Sequence, residues 1–159
     1  VCHNENIYFD ERRTAGKIMK YGPSSKQMYQ DMLVFGNRLS TSAVSVNAEF
    51  LRKHKLLFNE STNFSMVEDY DLWLHLARFK ASFKFLGASL GYYSVGDINM
   101  ASNSCLLCEN LKNLLKEHVF NVQEFSKDKE KLWRLVRLRF ILCKLKYVET
   151  SFFRKCIIC

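Results

Sequence analysis

The stretch that most constrains this chain runs from Ser65 to Ala77, Ser-Met-Val-Glu-Asp-Tyr-Asp-Leu-Trp-Leu-His-Leu-Ala. Apolar residues recur in it at helical spacing, so Met66, Tyr70, Trp73, Leu74 and Ala77 fall towards one side of a helix and require a core to receive them. Ser65 followed by Glu68 has capping-box spacing and predicts a helix start at Ser65. Glu68, Asp69 and Asp71 then occupy the first two turns. The positive end of the helix dipole favours ionised carboxylates there by about 0.3–1 kcal/mol each. Spacing by itself makes these ordinary acids of a helix start, with Glu68 a cap residue.

The longer string says more. Phe58-Asn59-Glu60, a polar loop, and Glu68-Asp69-Tyr70-Asp71-Leu72-Trp73-Leu74-His75-Leu76-Ala77 together resemble the Glu-Asp motif of the inverting glycosyltransferases of family two. In that family a Phe-Asp/Asn-Glu, loop, Glu-Asp-Tyr-Asp-Leu-Trp-Leu-Arg-Leu-Ala pattern marks the acceptor side of a GT-A fold. The resemblance covers residues 1–103 and implies an α/β fold, a partial GT-A-like mixed sheet with flanking helices, followed by a basic helical tail over 104–159. It implies Asp69 as general base and Glu68 and Asp71 as substrate-binding residues. It also implies a nucleotide-sugar donor and a glycan or lipid-linked acceptor. A divalent metal, manganese or magnesium, is expected in the complete enzyme, with ligands mostly outside this chain. The first residue is Val rather than Met, which with the resemblance reads as a fragment whose nucleotide-binding half precedes residue 1.

Two positions depart from the family pattern. Tyr93-Ser94-Val95-Gly96 stands where Tyr-Arg-x-His is usual, so both the Arg and the His are missing. His75 stands where Arg is usual, and as an isolated histidine it reads as a packed or surface residue. Asp69-x-Asp71 is an Asp-x-Asp, but it lies on a helix start rather than at a strand end, and no metal ligand is assigned to it.

With 159 residues, 48% of them hydrophobic, the chain can bury the core of one domain. One Pro and six Gly argue against disorder and repeat arrays. No stretch of eighteen apolar residues and no signal-peptide pattern occurs, so the expected location is cytoplasmic. The formal charge of +8 favours anionic partners, whether phosphates, nucleotides, nucleic acid or anionic lipid. Cys105-x-x-Cys108 and Cys156-x-x-Cys159 have zinc-ligand spacing. Both pairs are embedded in apolar helix-like runs rather than tight turns, which favours buried structural thiols over a zinc ribbon.

Along the chain, Ile7-Tyr8-Phe9 reads as a strand, Asp10 to Arg13 as a charged turn, and Gly22-Pro23 as a break. Ser24 to Val34 predicts a helix with Met28, Met32 and Leu33 inward. Leu39 to Val46 reads as a strand, and Asn47 as the cap of a helix from Ala48 to His54. Phe83 to Leu86 and Leu90 to Tyr93 read as two short strands separated by Gly87-Ala88-Ser89. One helix is predicted from Cys105 to Phe120 and another after Ser126, through Trp133, Val136, Phe140 and Cys143. Lys131, Arg134, Arg137, Arg139, Lys144, Lys146, Arg154 and Lys155 are interleaved with apolar residues there. That pattern fits either a packing helix with outward basic side chains or peripheral contact with an anionic membrane at its cytoplasmic face. The alternative to the enzyme reading is a non-catalytic basic module that binds nucleic acid or anionic membrane through this tail. Under the enzyme reading, nucleic acid is not an expected partner.

Overall fold

The computed structural model describes residues 1–10, 13–94, 104–121 and 128–141. The chain divides into two compact units, Val1–Leu114 and Leu115–Cys159. The first unit is α/β and is built on a three-stranded mixed sheet in the order β2-β1-β3. β1 (Cys2–Asp10), which contains the expected Ile7-Tyr8-Phe9 strand, and β2 (Arg13–Met19) form a hairpin, antiparallel from Glu5↔Met19 to Asp10↔Arg13. β3 (Phe85–Ser94) lies parallel to the other edge of β1. Parallel strands need a long crossover, and here it carries three helices: α1 (Met28–Phe35), α2 (Ala48–His54) and α3 (Glu68–Arg78).

β3 is one continuous strand, not two. Its pairing with β1 steps from His3↔Leu86 to Asn4↔Ser89 and then to Glu5↔Gly91, so the extra residues of Gly87-Ala88-Ser89 are absorbed as bulges. Asn4 Nδ2 donates to the Gly87 carbonyl at 3.0 Å and holds that irregularity against the sheet. Small residues at these positions mark the bulge rather than a break between strands.

Leu39 to Val46 is not a strand either. Thr41–Ala43 forms a single 3-10 turn, and only Val44 bridges to Cys2. The hydroxyls of Ser40 and Ser42 bond each other at 2.9 Å, while Ala43 N donates to the Ser40 carbonyl at 3.0 Å. Local hydroxyl bonding of this kind competes with a sheet ladder.

Met28, Met32 and Leu33 are buried on α1 as their spacing requires, although the helix starts at Met28 rather than Ser24. Asn47 caps α2 through its side-chain oxygen, which accepts from Glu49 N at 2.8 Å and Phe50 N at 3.2 Å. Gly22 has φ 88, and a Cβ there would meet the Phe85 ring at 2.7 Å, so the chain can pass the sheet at this point only as glycine.

The central helix starts at Glu68, not at Ser65. Thr62–Phe64 is a 3-10 turn, Met66 has φ 69, and Val67 occupies the N-cap with no side-chain cap bond. The Ser65 carbonyl is taken by Asn110 Nδ2 at 2.9 Å. The positive φ of Met66 breaks the helical path that a capping box would have required. Tyr70, Leu72, Trp73, Leu74, Leu76 and Ala77 are all buried, so α3 is surrounded on most sides, whereas Met66 is only half-buried. Each such fully buried large side chain is worth roughly 1.5–3 kcal/mol over exposure. Tyr70 Oη donates to the Met32 carbonyl at 2.6 Å and ties α3 to α1.

Helix α4 (Ser104–Lys116) is followed by a wider π turn, Glu117–Asn121. In the second unit, helix α5 spans 129–141, with Leu132 and Val136 buried. The Phe120 and Trp133 rings meet edge to face at 5.6 Å. Cys108 on α4 is an exposed free thiol, not a buried one, because it falls on the outward side of the helix. Cys143, Lys144, Lys146, Arg154, Lys155 and the Cys156/Cys159 pair lie outside the described residues. Among the described residues no helix is long and apolar enough to cross a membrane.

Candidate functional site

The first turn of α3 fixes the three carboxylates in different surroundings. Asp69 is half-buried; its Oδ1 accepts from the Tyr70 N–H at 2.6 Å and its Oδ2 from the Thr41 hydroxyl at 2.7 Å. Both oxygens are thus held, and the group keeps one orientation at the helix N-terminus. Glu68 is half-buried too, with Oε2 enclosed and without a hydrogen-bond partner among the described residues. Asp71 is 4% exposed, and its Oδ1 lies 3.6 Å from His75 Nε2 one helical turn later.

Asp69 and Asp71 are not brought together. Residues two apart on a helix project about 200° apart, so one faces Thr41 while the other faces inward with His75. As an Asp-x-Asp pair they do not fit a divalent cation. His75 is neither simply packed nor simply exposed, since its side chain is 33% exposed while its Nε2 lies 3.6 Å from a buried acid. Beside it a cleft of about 420 Å³ is lined by Asp71, His75 and Arg78 of α3, by His54 and Lys55 at the end of α2, and by Asn59. The His54 ring packs between Phe50 at 4.4 Å and Phe79 at 4.6 Å. A more apolar hollow of about 310 Å³ is lined by Leu39, Val44, Phe50, Trp73, Leu76 and Phe83. Asp69 lines neither; it opens on the surface beside Thr41. Phe58, Glu60 and Ser61 are exposed, with Asn59 Oδ1 accepting from Ser61 N at 3.1 Å. β3 ends at Ser94, and Val95 and Gly96 lie outside the described residues.

The support behind Thr41 was not legible in the motif. Ser42, the next residue, donates to Glu5 Oε1 at 2.7 Å, and Tyr21 Oη donates to Glu5 Oε2 at 2.6 Å. Glu5 is 1% exposed, so its carboxylate has exchanged water for two hydroxyls, without which its burial would cost several kcal/mol. Because the Ser42 proton goes to Glu5, the 2.9 Å contact with Ser40 has the Ser40 hydroxyl as donor. Burial, followed by the bond to Glu5, pushes the Tyr21 phenol well above its ordinary pKa. Burial likewise raises the Cys2 thiol. The sequence signals were a polar triplet, Asn4-Glu5-Asn6, inside a strand and a hydroxyl triplet, Ser40-Thr41-Ser42. Each is commonplace alone, and only the fold joins them.

Comparison with protein-family models, with curated proteins and with solved structures finds no match for this chain.

Proposed function

We propose that this chain is the acceptor side of an inverting glycosyltransferase, with Asp69 as the general base. The observation that carries the reading is the carboxylate of Asp69. It stands at the head of the motif helix, partly open to solvent, with Thr41 and the Tyr70 N–H fixing its orientation. A base must be held within hydrogen-bond reach of the proton it takes, and a fixed carboxylate at the surface meets that requirement.

In the proposed step the acceptor hydroxyl gives its proton to Asp69 as its oxygen forms a bond to the anomeric carbon. The bond from that carbon to the leaving nucleoside diphosphate breaks on the opposite face, and the diphosphate departs with the electron pair. The configuration inverts. Glu68, next to Asp69 at the helix start, and Asp71, buried beside His75, are the proposed substrate-binding residues. A divalent metal, manganese or magnesium, would offset the charge of the leaving diphosphate in the complete enzyme. Its ligands would lie mostly outside this chain.

The test is transfer from a panel of nucleotide sugars by the complete polypeptide that contains this chain. The reading expects a product of inverted configuration and its loss in Asp69→Asn. A product of retained configuration would rule the mechanism out.

A further inference from the structure

We infer that the outward face of α5 docks onto an anionic lipid surface, through three apolar and three basic side chains that alternate around it. Leu132 and Val136 are buried and define the inward side of the helix. At 100° per residue, the opposite side presents Ile141, Arg134, Leu138, Lys131 and Leu135 in succession, with Arg137 and Glu130 at one margin. Leu135, Leu138 and Ile141 are 42%, 52% and 52% exposed, and Lys131, Arg134 and Arg137 are exposed as well.

Single exposed leucines need no explanation. Three large aliphatic side chains at i, i+3 and i+6, each next to a cation, form a patch of mixed character with two exposed acids at its edges, Glu130 and, at the helix start, Asp128. The patch selects its partner by chemistry. Against nucleic acid the cations would meet phosphates, but the three aliphatic side chains would stay wet and contribute nothing. Against a second copy of the same face, three cations would oppose three cations. At a lipid headgroup boundary the aliphatic groups enter the acyl edge while Lys and Arg extend to anionic headgroups, so both sets are satisfied. The excess of basic over acidic residues in the whole chain, formal charge +8, favours the same partner.

This inference does not rest on the glycosyltransferase reading and is tested without any transfer assay. The whole 159-residue chain is co-sedimented with phosphatidylcholine vesicles that contain or lack phosphatidylserine. Two variants accompany it, Leu135→Ser/Leu138→Ser/Ile141→Ser and Arg134→Gln/Arg137→Gln. All five positions are exposed, and circular dichroism melting verifies that each variant folds as the wild type does. Wild type is expected to bind the anionic vesicles and not the neutral ones, with affinity falling as salt rises. Removing two arginines is expected to weaken binding on the order of tenfold or more, and the apolar triple variant by roughly tenfold or more. Either of three results overturns the inference: no vesicle binding, binding equal for neutral and anionic vesicles, or binding unchanged in both variants. In a parallel gel-shift, duplex DNA or RNA bound more tightly than the anionic vesicles also overturns it.

Discussion

The Thr41 hydroxyl donates a 2.7 Å hydrogen bond to Asp69 Oδ2 across 28 residues of chain. One partner begins a 3-10 turn and the other lies in the first turn of the central helix, and the bond is near the surface. A surface bond of this kind contributes little to stability, about 0.5–1.5 kcal/mol. Its weight in the proposed function is geometric. Thr41→Val should therefore leave the urea midpoint nearly unchanged while lowering transfer roughly tenfold or more, because small misplacements of a reacting group are costly. A large loss of stability without a change in rate would make Thr41 a structural residue only.

Asn110 is 3% exposed and its side chain donates to the Ser65 carbonyl at 2.9 Å and, more weakly, to the Thr62 carbonyl at 3.4 Å. It fastens the loop that precedes Glu68. Asn110→Ala leaves a carbonyl without its donor and should cost about 1–3 kcal/mol in chemical denaturation. Native-state hydrogen exchange should show faster exchange concentrated in residues 62–67. Uniform acceleration across the unit would mean that Asn110 supports the core generally rather than this loop.

Tyr21 supplies a pH dependence whose sign is fixed. Its folded-state pKa is raised, first by burial and then by its bond to Glu5, so the neutral phenol is the form that the fold prefers. The contribution is fully present below the unfolded tyrosine pKa, about 10, and is lost as pH rises above it. Tyr21→Phe removes the titration and strands Glu5 Oε2, so the variant should be less stable than wild type at pH 7. The difference should narrow above pH ~10. A difference that stays constant through that range would show that Tyr21 ionises equally in both states.

Much of the frame was legible because it rests on periodicity and local chemistry. The hairpin around Asp10 to Arg13, the inward Met28, Met32 and Leu33, and the Asn47 cap each follow from residues close in sequence. What escaped depends on distant partners. Ser65 has capping-box spacing, yet its carbonyl is claimed by Asn110 and Met66 takes a positive φ. The run at 39–46 sends the Thr41 and Ser42 hydroxyls to distant acids, Asp69 and Glu5, and forms a 3-10 turn instead of pairing as a strand. The three small residues Gly87, Ala88 and Ser89 are carried inside a strand, where Asn4 holds the Gly87 carbonyl. At the candidate site, the acidic triplet could be read from the motif, but the buried Glu5 with Tyr21 and Ser42 could not, since nothing local links a strand residue to a serine 37 positions away.

The central claim is that Asp69 takes the acceptor proton, and the most direct measurement is the transfer rate of Asp69→Asn in the complete enzyme beside its affinity for the nucleotide-sugar donor. Asparagine keeps the shape and one acceptor oxygen, enough for either the Tyr70 N–H or the Thr41 hydroxyl, but it cannot act as a carboxylate base. The account predicts a fall in kcat of roughly 10²–10⁴ with donor binding by isothermal titration essentially unchanged. Transfer retained within a few-fold of wild type would contradict it and remove Asp69 from the role.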